Sequence, residues 1–176
     1  MEAFFHPRGI ALVGATANPA KGGHIILRNL QTGFRGAIHP VNPRYGEIAG
    51  LPCHPSVAAV PDPVDLAIVF VPAREVPEVV AACGARGIRA VMIESGGFAE
   101  SGAEGRRLQA RTAEAARAAG VRLWGPNCMG LVDAAARHVF SFVSPAIWEA
   151  GLTPGGVSLV VQSGMLSGAF LMDVMT

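Results

Sequence analysis

A chain of 176 residues, 51% apolar and 15% charged, has room for one well-filled domain with a little appended, and is not disordered. A net charge of +1 offers no general field for nucleic acid or an anionic membrane, so any anion must be held locally. The three cysteines, Cys53, Cys83 and Cys128, are odd in number and far apart, which excludes a disulfide framework and a metal-ligand cluster and predicts a reduced, cytoplasmic setting. The N-terminus lacks the long apolar core of a signal peptide, and no run approaches the ~18 apolar residues of a membrane span.

Short β-branched apolar runs that end at turn residues predict strands, and 3.6-residue periodicity ending at glycine predicts helices. The first strand covers 9–14, and its helix runs from about Gly23 to Thr32 with Gly33 as the expected cap. The second strand covers about 36–41. The segment after it is too rich in Pro and Gly for more than a helical turn near 56–59. The third strand, 65–71, stops at Pro72, and residues 74–86 form a helix that tolerates Pro77 in its first turn and ends at Gly87. A fourth strand at 90–93, a polar helix over 102–119 and a fifth strand at 121–124 follow. Five nearly continuous apolar strands separated by helices predict an α/β fold with a parallel sheet covered on both faces. Right-handed crossovers give it a Rossmann-like order of 3-2-1-4-5.

In such a sheet a ligand lies outside the carboxyl ends of the strands, and each of those ends here opens into a small or polar loop. Gly14-Ala15-Thr16 begins the first and Lys21-Gly22-Gly23 ends it at a helix N-terminus, an arrangement that aims backbone N–H groups at one point and suits a phosphate. The same stretch also fits a glycine-rich turn with no ligand. Thr16 and Pro19 stand where the nicotinamide fingerprint G-x-G-x-x-G needs glycines, and the second strand ends in Val41-Asn42-Pro43-Arg44-Tyr45 without the expected carboxylate. Arg44 suits a ribose that carries its own phosphate, as in NADP or coenzyme A, although a solvated turn arginine is equally natural. No P-loop pattern is present. Residues 131–151 have little periodicity and look like a linker that packs on something. A strand-then-glycine pattern at 155–164 and an apolar helix over 165–175 predict the first βα unit of a second domain.

The loops, taken together, resemble a known family. Val13-Gly14-Ala15-Thr16, Pro40-Val41-Asn42-Pro43-Arg44-Tyr45, Val71-Pro72-Ala73, Glu94-Ser95-Gly96-Gly97-Phe98-Ala99-Glu100, Gly125-Pro126-Asn127-Cys128-Met129-Gly130 and Gln162-Ser163-Gly164 are similar, in order, to the N-terminal part of NDP-forming (ADP-forming) acyl-CoA synthetases, relatives of the succinyl-CoA synthetase alpha subunit. The resemblance implies a CoA-binding Rossmann-like domain at 1–130, a linker at 131–154 and the start of a truncated, flavodoxin-like second ligase domain at 155–176. By position it places Gly14, Ala15, Thr16, Lys21 and Gly22 at the pyrophosphate, and Arg44 or Tyr45, beside Val41, Asn42 and Pro43, at the ribose phosphate. Val71 and Pro72 would flank the adenine, with Ser95, Gly96, Asn127 and Cys128 near the pantetheine arm and thiol.

Cys128 invites the role of nucleophile, but no histidine adjoins it, and a buried thiol is the plainer reading. Glu94 and Glu100 suit either acid/base work or satisfaction by loop N–H groups. Gln162, Ser163 and Gly164 match a turn that cradles a phosphohistidine in the family, while none of the five histidines stands at the matching place. The expectation is a chain that binds coenzyme A without catalysing. ATP and magnesium belong to missing parts, and the expected partners are the remaining ligase domains or an ATP-grasp subunit, with homo-oligomerisation open. A regulatory module of a protein acetyltransferase, a stand-alone coenzyme A-binding protein and an NADP-dependent oxidoreductase are the alternatives.

Overall fold

The computed structural model describes residues 1–174. The chain begins with a one-turn helix α1 (Glu2–Phe5), then β1 (Gly9–Val13), α2 (Gly22–Gly33) and β2 (Ala37–Val41). A two-residue hairpin, β3 (Glu47–Ile48) and β4 (Leu51–Pro52), and a 3-10 turn at Val57–Ala59 lead to β5 (Leu66–Val69). Then come α3 (Val76–Arg86), β6 (Ala90–Ile93), α4 (Ala103–Ala119), β7 (Arg122–Trp124), a second hairpin of β8 (Leu131–Asp133) and β9 (His138–Phe140), and α5 (Gly164–Val174).

Strands β1, β5 and β6 are buried along their whole length, which explains their uninterrupted apolar sequence. Side chains alternate across the sheet. Ala11, Val13, Ala67, Val69, Val91 and Ile93 pack beneath α3 and α4. Ile10, Leu12, Leu66, Ile68 and Met92 pack beneath α2 and Phe140 of the second hairpin. Gly87 (φ +91°) and Gly120 (φ +64°) cap α3 and α4 in the left-handed conformation. Gly33 departs from its expected role: it lies inside α2, and a side chain there would strike the Arg137 carbonyl and the Trp148 ring. Its smallness serves close packing.

All five core strands are parallel, as expected, but their order differs. The sheet runs β2-β1-β5-β6-β7, so the five predicted strands stand as 2-1-3-4-5, and 3-2-1-4-5 is corrected. Strand β5 pairs directly with β1, from Ile10 opposite Leu66 to Val13 opposite Val69. Pro40 suits the edge position of β2, because its outward-facing backbone offers a carbonyl to His54 but no N–H for a further strand. One isolated bridge, Val41 with His54, covers that edge among the described residues. The order therefore reverses between β1 and β5.

Residues 131–151 do pack on something. The β8–β9 hairpin and a 3-10 turn at Pro145–Trp148 form a strap across α2, fixed by the buried amide of Asn29. Its Nδ2 donates to the carbonyls of Ser141 and Val143, both at 2.9 Å, and its Oδ1 accepts from Trp148 Nε1 at 3.0 Å. Further on, the strand-then-glycine pattern at 155–164 forms no strand, and Val157 and Val160 are 88% and 97% exposed. A strand needs a neighbour for its backbone groups, and no strand among the described residues pairs with this run. Helix α5 forms as expected, though its predicted end at Met175 lies outside the described residues. No helix among the described residues is long and apolar enough to cross a membrane.

Candidate functional site

The β1–α2 loop is held by its own polar groups. Gly14 turns the chain at φ +96°, its N–H donating to the Val41 carbonyl at 3.0 Å. A Cβ at Gly14 would strike the Phe70 carbonyl, one at Gly22 would come within 2.5 Å of the Phe70 ring, and one at Gly23 would strike the Gly14 carbonyl. These glycines thus seat the loop against the ends of β1 and β5. Thr16 Oγ1 accepts from the Asn18 N–H at 3.2 Å and lies 3.2 Å from the Tyr45 hydroxyl. The Thr16 carbonyl meets His24 Nδ1 at 3.1 Å, and Asn42 Nδ2 donates to the Ala15 carbonyl at 2.8 Å. Helix α2 starts from Lys21, whose side chain does not cap it, and has no acid in its first turn. Residues 17–21 are exposed, so the positive end of the helix faces solvent.

Arg44 stands exposed on the turn after β2, where Asn42 Oδ1 accepts its backbone N–H at 3.0 Å. Beyond β5, Val71 N–H donates to Ser95 Oγ at 3.1 Å, and the Ser95 carbonyl accepts from the Asn127 N–H at 3.0 Å. One buried serine therefore joins the ends of β5, β6 and β7. The Cys128 thiol donates to the Ile93 carbonyl at 3.3 Å, and burial pushes its pKa up to about 12. Glu100 Oε1 accepts from the N–H groups of Gly97 (2.6 Å) and Phe98 (3.0 Å), bonds that hold its carboxyl below the usual range. Of the two readings for Glu100, satisfaction by loop N–H groups is the one the structure bears out.

Glu94 is different: it is 3% exposed, and burial drives its pKa well up, only partly opposed by the Phe142 N–H that donates to Oε2 at 3.2 Å. Its Oε1 is buried with no hydrogen-bond partner, a condition that costs about 1–3 kcal/mol. Gln162 and Gly164 line a cleft of about 680 Å³ together with Asn127, Cys128, Phe142 and Ser144. Ser163 Oγ accepts the Leu166 N–H at 3.3 Å and so opens α5. A more open cleft of about 500 Å³ between Val57 and α3 contains none of the predicted site residues.

A family model described as a CoA binding domain matches residues 8–134. The chain belongs to the CoA-binding domain family. The ADP-forming acetate–CoA ligase I of Archaeoglobus fulgidus is 40% identical to this CoA-binding domain over 177 residues, covering 99% of the chain and 24% of its own length. The alpha subunit of the ADP-forming acetate–CoA ligase I of Pyrococcus furiosus is 38% identical over 97% of the chain and 37% of its own. The crystal structure of PH0766 from Pyrococcus horikoshii OT3 superposes with a TM-score of 0.91 at 34% identity, covering 99% of the chain and 39% of its own. The chain thus spans between 24% and 39% of the length of these relatives.

Within this CoA-binding domain the predicted residues Gly14, Ala15, Thr16, Lys21, Gly22, Val41, Asn42, Pro43, Arg44, Tyr45, Val71, Pro72, Ser95, Gly96, Asn127 and Cys128 all lie at the carboxyl ends of the parallel strands or in the loops that follow them. Ala15 and Val41 are buried, so what they present at that edge is backbone. His24 as a loop brace, Asn29 as the anchor of the strap and the Glu94–Phe142 bond escaped the sequence reading. Only Glu94 left a signal: in a strand, alternation places it with Ala90 and Met92 on a face that should be apolar.

Proposed function

We propose that this CoA-binding domain holds coenzyme A along the carboxyl edge of its sheet, as part of an ADP-forming acyl-CoA synthetase. Such an enzyme joins a carboxylate to coenzyme A while ATP becomes ADP and phosphate through a phosphohistidine. The observation that carries this reading is the uncapped N-terminus of α2, open to solvent at the point where strand order reverses, with Arg44 on the next strand end. The loop 14–22 receives the pyrophosphate, and the helix end adds about 0.3–1 kcal/mol for the anion. Arg44 and Tyr45 meet the phosphorylated ribose, Val71 and Pro72 the adenine, and Ser95, Gly96, Asn127 and Cys128 the pantetheine arm. Gln162, Ser163 and Gly164 face that thiol end as the cradle of a phosphohistidine supplied by the rest of the ligase, which also brings ATP and magnesium on further domains or an ATP-grasp subunit.

Calorimetric titration tests the assignment. Coenzyme A should bind more tightly than dephospho-coenzyme A and NADPH, and Arg44→Ala should weaken coenzyme A by about 5- to 30-fold, the worth of one exposed charge-assisted contact. Dephospho-coenzyme A should hardly respond to that substitution. Equal losses for the two ligands would remove Arg44 from the phosphate, and preference for NADPH would overturn the coenzyme A reading.

A further inference from the structure

The carboxyl of Glu94 lies behind one wall of the 680 Å³ cleft. It follows β6 directly, in alternation with Ala90 and Met92, and its Oε2 accepts the Phe142 N–H, a bond between residues 48 apart in sequence. Its Oε1, unpartnered, would lie 3.0 Å from a Cβ on Gly130, so the 125–130 loop passes directly over it. Cys128 lies near enough to the Glu94 carboxyl for the two groups to interact. The two segments that Glu94 touches, 127–130 and 142–144, supply Asn127, Cys128, Phe142 and Ser144 to the cleft.

We infer that Glu94 is a positioning residue: by tying the 140–144 strap to the end of β6 it fixes the wall of the cleft that receives the thiol end of coenzyme A. It touches no ligand itself. This rests on the coenzyme A reading above, and it separates the two ends of the ligand, because the hydrogen bond of the Glu94 carboxyl goes to Phe142 and none goes to the loop 14–22. A residue that merely stabilised the fold would affect the whole coenzyme alike.

The test compares coenzyme A with its nucleotide half, adenosine 3′,5′-bisphosphate, on three forms of the chain. Glu94→Gln keeps an oxygen to accept the Phe142 N–H and should bind both ligands within about twofold of the parent. Glu94→Leu keeps the volume without the acceptor and should lose about 5- to 20-fold for coenzyme A while holding the nucleotide half unchanged. Retention of the half-ligand reports that the leucine form is folded. A leucine variant that binds coenzyme A as the parent does, or that weakens both ligands equally, overturns the inference. A parent chain that binds neither ligand overturns the coenzyme A reading instead, whereas equal parent affinity for both overturns the inference alone.

Discussion

The end of β1 and the end of β6 solve the same problem in opposite ways. Both turn a buried strand into a loop at one edge of the sheet. After β1, polar side chains bond within the loop or to the neighbouring loop after β2: Thr16 with Asn18 and Tyr45, Asn42 with Ala15, Asn18 with Ala20. What remains free is the helix end, aimed at solvent. After β6 the chain buries a carboxyl with one partner and covers it with two segments that arrive much later in sequence. An anion site built from backbone is preorganised by short-range geometry. The wall of a cleft built from tertiary contacts is set by packing, and a single buried group controls it.

The largest expected effect breaks the first region. Gly14→Val asks a β-branched residue to hold φ +96° and drives its side chain into the Phe70 carbonyl. The loop must leave its seat, so coenzyme A affinity should fall by more than about 100-fold, with a loss of several kcal/mol in unfolding free energy. Urea unfolding alongside calorimetry checks both quantities. Normal binding would show that the phosphates lie away from this loop.

The same contrast explains what could be inferred from the chain. Strand positions followed from uninterrupted apolar runs, and the loops at their ends from Gly, Pro and Asn, because both are local consequences of burial and backbone geometry. Strand order did not follow, since residues 42–65 hold no covering helix to fix a crossover; Pro40 was the one mark of an edge. The strap was legible only as aromatic residues without a period. Its anchor, Asn29, sits in the middle of a helix whose polar face should be exposed, and its partners are more than 100 residues away. Glu94 put a carboxyl at the end of the apolar run of β6, but sequence alone could not say what would cover it.

A smaller effect sharpens the second region. The ordinary pKa of a glutamate is 4.5, and burial raises that of Glu94 while the Phe142 N–H partly opposes the rise. Above pH 4.5 the unfolded chain releases this proton while the folded chain keeps it, so stability falls as pH rises until Glu94 ionises in place. The slope attributable to one such group approaches 1.4 kcal/mol per pH unit, on the order of the full linkage limit. Cys128, the titratable neighbour, stays a protonated thiol throughout this range. Glu94→Gln should remove this dependence, so the variant gains on the parent as pH rises above 4.5, until Glu94 ionises in the folded parent. Melting curves that stay parallel across that range would place an ionised carboxylate at Glu94.

The smallest effect concerns Cys128, the residue whose position most invites a chemical role. Its thiol donates to the Ile93 carbonyl, and a pKa of about 12 against an ordinary 9.0 lowers the thiolate fraction at neutral pH by about a thousandfold. A serine hydroxyl can make the same donation from nearly the same place. Cys128→Ser should therefore leave coenzyme A affinity within about twofold and shift unfolding by less than about 1 kcal/mol. Iodoacetamide at pH 7.5 should also label the folded parent at Cys128 far more slowly than the urea-unfolded chain. Rapid alkylation of the folded protein at this residue, or a tenfold loss of coenzyme A binding in the serine form, would mean that the loop opens and presents the thiol. The wall behind which Glu94 lies would then be a movable one.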